Sequence, residues 1–118
     1  MRAAPPRSDA QRLADMLQAI RRIRELTDLP REEFARNAMA QEAVAFQLMV
    51  LGEASERISK RTKNVNRTVP WRALSDLRWA FAHAYFETDL TSTWGVVRRE
   101  LNGIERKLRR ARVGPPPE

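Results

Sequence analysis

Arg78, His83 and Tyr85 stand close together in the run Leu-Arg-Trp-Ala-Phe-Ala-His-Ala-Tyr-Phe, and His83 and Tyr85 are the only histidine and tyrosine in the chain. Imidazole exchanges protons near neutral pH. Guanidinium is a permanent cation whose planar fork matches phosphate oxygens. A phenol can donate, accept or be modified. The run closes an apolar helical stripe, so the three groups fall where a packed helix meets a turn, an arrangement suited to phosphate chemistry. Spacing alone is a weak signal, because 19 of the 118 residues are arginine. Read structurally, His83 is a surface or satisfied core histidine, Arg78 an ordinary surface cation, and Tyr85 the last buried aromatic of its helix. Arg78 and His83 lie about 140° apart around an ideal helix. They converge on one ligand if the helix loosens near His83, or if a two-fold dimer gathers two such pairs around a shared cleft.

Composition narrows the chemistry. A formal charge of +7 points to an anionic partner. With no cysteine there is no disulfide framework, thiolate nucleophile or cysteine-rich metal site, and one histidine excludes a histidine-rich zinc site within a protomer. No metal ligand set is therefore assigned. The first residues lack the apolar stretch of a signal peptide, and the run 43–51 is interrupted by Gln47 and too short to span a bilayer. The expected location is the cytoplasm, away from any membrane.

Four helices are expected. Ser8 and Gln11 form a capping-box pattern ahead of Leu13, Met16, Leu17, Ile20 and Ile23, which recur at three- and four-residue spacing. After Pro30 a second helix is expected from Arg31 to about Arg61, and its centre, AVAFQLMVL, is apolar nearly all round, as in a helix enclosed by others. Gly52 interrupts good helix propensity there, and a close helix crossing is one reason for it. A polar, basic loop is expected over residues 62–69. Pro70 fits the first turn of a third helix whose stripe is Leu74, Leu77, Phe81 and Ala84. Thr88 or Asp89 caps a fourth, with Leu90, Trp94, Val97, Leu101, Ile104 and Leu108 on one face. The expected fold is all-α, a compact up-and-down four-helix bundle over residues 8–112, with flexible tails at 1–7 and 113–118. The cluster from Arg98 to Arg112, like Arg21, Arg22 and Arg24, reads as an RNA-facing surface or as a solvated helix face. Trp71 and Trp79 read as core or dimer packing, or as stacking platforms for bases.

The order of these motifs resembles the HepT-like members of the HEPN superfamily. The resemblance rests on Arg-x4-His-x-Tyr at Arg78, His83 and Tyr85, on LMVLGEASERIS from Leu48 to Ser59, on VPWRALSDLR from Val69 to Arg78, and on the stripe around Trp94. It extends from Asp9 to Leu108. It implies a HEPN-like fold and a toxin acting as a homodimeric, metal-independent endoribonuclease on an RNA substrate. On that resemblance Arg78 and His83 are the catalytic residues, and RNA cleavage needs no cofactor. Tyr85 supports the active site or accepts AMP from a minimal nucleotidyltransferase antitoxin, for which alone ATP and Mg2+ are expected. Glu53, in the Gly-Glu-Ala segment, pairs with Arg78 to fix its fork, or is a surface carboxylate. Trp79 departs from the family's usual polar residue after the motif arginine, often asparagine. The alternative to catalysis is an RNA-binding or nucleotidyltransferase-binding adaptor.

Overall fold

The computed structural model describes residues 5–78 and 91–116, the side chains of 91–98 aside. His83, Tyr85, Trp79, Phe81, Ala84, Leu90 and the expected caps at Thr88 or Asp89 lie outside the described residues. The elements are α1 (Asp9–Leu26), α2 (Arg31–Ala35), α3 (Ala38–Arg57), α4 (Lys60–Val65), α5 (described over 71–78) and α6 (Thr91–Arg110). The all-helical expectation holds. Among the described residues there is no strand, and no helix is long and apolar enough to cross a membrane.

α1 begins as its sequence predicts. Ser8 accepts the Gln11 backbone N–H while the Gln11 side chain accepts the Ser8 N–H, so two otherwise orphaned donors are satisfied at once. Met16, Ala19, Ile20 and Ile23 are buried along the face that packs on α3 and α6.

The expected second helix is instead three. α2 ends at Ala35 with Arg36 as its C-cap, and Asn37 restarts the chain by accepting the Ala40 backbone N–H on its side chain. At the far end Ile58 turns extended, and Ser59 caps α4. The expected basic loop therefore opens with the last turn of a short helix. Pro70 sits one position earlier than expected, as the residue whose carbonyl accepts the Leu74 N–H, so that Trp71 begins α5. The centre of α3 is also not enclosed all round. Val44, Leu48 and Leu51 are buried, yet Phe46 is 59% exposed and Met49 45%. Neighbours meet α3 on two faces and leave this third one to solvent.

Two polar ties hold the ends together. At the start of α1 the Asp9 carboxylate accepts hydrogen bonds from the Ser59 backbone N–H (3.1 Å), from the Ser59 hydroxyl, and from the Thr62 hydroxyl (2.6 Å). Thr62 Oγ1, fully buried, in turn accepts the Gly114 N–H at 2.9 Å. Gly114 fits because it has no Cβ, which here would overlap the Arg61 carbonyl. Asn66 makes the second tie. Its side chain exchanges hydrogen bonds with both the carbonyl (2.7 Å) and the N–H (3.1 Å) of Arg112, and its own carbonyl accepts the Trp71 indole N–H at 3.0 Å. Arg112 to Gly114, which include the start of the expected tail, are thereby laid against α4. Trp71 is buried at 9% exposure, which places it in the core rather than on a stacking surface.

Burial opposes the charge of Asp9, but the hydrogen bonds from Ser59 and Thr62 outweigh it and hold its carboxyl below the usual carboxylate range. A carboxylate with a depressed folded value stabilises the fold above its unfolded pKa, and that contribution fades as pH falls through the folded value. Asp9→Asn is expected to lower unfolding free energy by roughly 1–3 kcal/mol at pH 7, the scale of charged hydrogen bonds. Urea titrations from pH 7 to pH 3 should show the difference between the two proteins shrinking with acid. A difference that stays constant would mean the charge of Asp9 contributes nothing.

Candidate functional site

The position of Arg78 follows from a close crossing of α3 and α5. A Cβ on Gly52 would stand 2.9 Å from the Arg78 backbone nitrogen, 3.0 Å from the Leu74 carbonyl oxygen and 3.2 Å from the Arg78 Cβ. The helices therefore touch backbone to backbone, and Gly52 is there because nothing larger fits. One turn on, Ser55 is fully buried and donates its hydroxyl to the Trp71 carbonyl at 3.0 Å, with the Ser75 hydroxyl 3.4 Å away. Small residues three apart on α3 thus receive Trp71, Leu74, Ser75 and Arg78, which lie on one side of α5.

This crossing brings Glu53 to Arg78. Arg78 Nη1 donates to Glu53 Oε2 at 2.8 Å, and Arg57 Nε donates to Glu53 Oε1 at 2.6 Å from one turn along α3. The carboxylate is bridged by two guanidinium groups. The Arg57 hydrogen bond and then the Arg78 hydrogen bond hold its carboxyl below the usual range, against a smaller opposing effect of burial. The side chains of Glu53 and Arg78 are both about 40% exposed, so the pair fixes geometry more than it stabilises the fold. One of five guanidinium N–H donors is spent on Glu53 among the described residues, and the others remain for an anion.

The pair borders an open groove of about 600 Å³. Phe46, Met49 and Val50 of α3 line it, together with Arg57, Glu53 and Arg78. A lining that is both apolar and cationic can take a flat, charged ligand or the matching face of another chain. Among the described residues no group of three or more acidic, histidine or cysteine side chains is placed to hold a metal ion.

Of the residues singled out by sequence, the structure brings Arg78 and Glu53 together. It says nothing of His83 and Tyr85, which lie outside the described residues. Sequence reasoning missed Arg57 as the second clamp on Glu53, although its four-residue spacing was a usable signal. It also missed the groove lining, because Phe46 and Met49 were counted as core.

A family model described as ribonuclease HepT-like matches residues 16–111. Among curated relatives, a probable ribonuclease HepT of Thermococcus cleftensis is 32% identical over 107 residues, covering 90% of this chain and 97% of that protein. A candidate RNase of Methanocaldococcus jannaschii is 31% identical over 97 residues, covering 81% of this chain and 89% of that one. No solved structure matches the chain.

Two neighbouring substitutions should separate packing from pairing. Gly52→Ala forces α5 away from α3 and is expected to destabilise by roughly 1–3 kcal/mol, even though alanine favours a helix by about 1 kcal/mol over glycine. Glu53→Gln removes the charge from two largely exposed ion pairs, with Arg57 and Arg78, and should cost about 1 kcal/mol or less. Urea denaturation compares them directly, and a Gly52→Ala protein as stable as the parent would mean that the crossing is not close.

Proposed function

The chain belongs to the ribonuclease HepT-like family, and from that premise we propose that it is a metal-independent endoribonuclease in which Arg78 and His83 carry out the cleavage. The observation that supports this most directly is the Glu53 clamp on Arg78 beside an open groove lined in part by arginines. A guanidinium fixed on a rigid helix crossing keeps donors aimed outward, ready for a phosphate that gains negative charge as it reacts.

The reaction is a transesterification. The ribose 2′-oxygen attacks the adjacent phosphorus as its proton leaves, and the phosphorus–5′-oxygen bond breaks as that oxygen takes up a proton. The products are a 2′,3′-cyclic phosphate and a 5′-hydroxyl. Arg78 stabilises the extra charge on the non-bridging oxygens. His83 moves the protons, a role suited to a group whose ordinary pKa is about 6.5. In a homodimer the base and acid roles divide between two copies of His83, and the exposed apolar strip of Phe46 and Met49 favours such pairing of chains.

Regulation follows from the same charge logic. A minimal nucleotidyltransferase antitoxin, using ATP and Mg2+, joins the α-phosphorus of ATP to the Tyr85 oxygen, two residues from His83, as the phenol proton is lost and pyrophosphate leaves. The added phosphate and its bulk oppose an incoming RNA strand at the site that attracts it. On this reading the chain is the toxin of a toxin–antitoxin pair and works in the cytoplasm.

Cleavage of end-labelled RNA in excess EDTA tests the chemistry. The parent protein is expected to leave 2′,3′-cyclic ends, and His83→Ala or Arg78→Ala to slow cleavage by about a hundredfold or more. Tyr85→Phe should retain cleavage yet resist inhibition by the transferase with ATP and Mg2+. Intact RNA with the parent protein would overturn catalysis and put the adaptor reading, to which Trp79 beside the motif arginine already leans, in its place.

A further inference from the structure

Away from the Arg78 groove, the chain's charge is distributed very unevenly. Residues 58–75 hold five lysines and arginines and residues 106–116 hold five, together ten of the 22 in the chain, and neither segment contains any of its 15 acidic residues. In sequence these segments are far apart. In the fold they are joined, because Asn66 grips the Arg112 backbone on both sides and Gly114 is seated on Thr62. The side chains of Lys60, Arg61, Arg67, Arg110 and Arg112 are exposed around that junction. Among the described residues no ion pair joins any of these five to a carboxylate. By contrast, Arg109 pairs with Glu105 at 2.9 Å and Arg24 with the same carboxylate at 2.6 Å. Asp9, the nearby acid, is held by Ser59 and Thr62 and feels the charge of Arg61 without forming an ion pair with it.

We propose that the joined surface of α4 and the C-terminal end of α6 is a second RNA-binding surface, one that holds the phosphate backbone of the substrate outside the cleavage site. The inference rests on the ribonuclease reading and adds to it where the strand runs. Keeping so many like charges together works against folding through self-repulsion, and a polyanion relieves that repulsion while releasing its own counterions. The surface is also tied to the site. Asn66 accepts the Trp71 indole N–H at the start of α5, and seven residues of helix then lead to Arg78, a distance of about 10 Å. A strand whose scissile phosphate lies on Arg78 therefore reaches this surface within a few nucleotides. The exposed, positively charged character of the surface suits backbone contact rather than reading of bases.

Binding and cleavage are to be measured on three proteins: the parent, Arg67→Gln/Arg110→Gln/Arg112→Gln, and the charge-matched control Arg21→Gln/Arg22→Gln/Arg31→Gln on α1 and α2. The probe is a fluorescent 2′-O-methyl oligonucleotide, which has no free 2′-hydroxyl and is not cleaved, titrated by anisotropy from 50 to 300 mM salt. The α4/α6 variant is expected to bind about tenfold more weakly at about 100 mM salt. Its log-log salt slope should be shallower by about 2, given roughly 0.7 per phosphate contact on a single strand. On the matching RNA its KM should rise with kcat unchanged, while the control changes by less than about threefold. The single substitutions Arg67→Gln and Arg110→Gln, each expected to weaken binding about twofold, carry the test if the triple variant unfolds. Equal losses in variant and control would reduce the effect to net charge and overturn the proposal, as would parental affinity in the variant. So would loss of binding to poly-glutamate but not to RNA, which would assign the surface to an acidic protein. A parent that cleaves RNA in any of these cases leaves the ribonuclease reading intact. A parent that neither binds nor cleaves RNA removes both.

Discussion

The contact of Gly52 with the backbone of Leu74 and Arg78 is the constraint on which the rest of the site depends. Two helices that meet through a glycine stand closer than side chains ordinarily allow, and at that separation a glutamate next to the glycine reaches an arginine across the gap. The pairing is then a consequence of the backbone. A long, flexible cation has many rotamers, and ordering it usually costs as much as an exposed ion pair returns. Here the crossing has already fixed the Arg78 Cα, and Glu53 is itself held by Arg57. The remaining freedom of Arg78 is small, which is the condition for preorganised stabilisation of a reacting phosphate.

The two polar ties extend this rigidity. The Asp9, Ser59, Thr62 and Gly114 clasp joins the beginning of the first helix, the start of α4 and the last described residues of the chain through three buried or half-buried side chains. Asn66 connects that clasp to α5 through Trp71. The C-terminal basic segment is consequently part of the same body as Arg78. A charge on that segment keeps a fixed distance from the site, so it can hold a strand in register rather than merely raise its local concentration.

How much of this was legible in the sequence depended on range. The capping box at Ser8 and Gln11 is local chemistry, and it was legible and formed. The buried stripe of α1 and the burial of Leu74, Leu101 and Leu108 followed from period alone. Gly52 signalled a crossing, but only the fold names Arg78 as what it meets. The break at Asn37 was missed because the residues around it favour helix, and an asparagine cap is indistinguishable from a polar surface residue without knowing where the chain turns. Phe46 and Met49 were misplaced for a different reason: hydrophobic period registers that a face avoids water, whether its cover is the same chain or something else. The clasp on Asp9 links residues about fifty apart and had no sequence signature. Arg78, Glu53, His83 and Tyr85 were singled out through family resemblance and motif order, and of these the described residues place the first two.

The electrostatics of the clamp also bear on the proposed proton chemistry. Glu53 is a carboxylate within reach of the groove, and position alone would make it a candidate general base. Arg57 and Arg78 lower its proton affinity below that of an ordinary carboxylate, so near neutral pH it is ionised but a weak base toward a sugar hydroxyl. Arg78 carries a permanent charge and offers hydrogen bonds without offering an exchangeable proton on the timescale of cleavage. In the proposed mechanism the pair therefore anchors the phosphate and leaves the movement of protons to another group. The proton carrier in that mechanism is His83, the one histidine of the sequence. On that proposal a fixed cation and a separate proton carrier divide the labour, so that dependence on pH belongs to His83 and dependence on salt to the arginines.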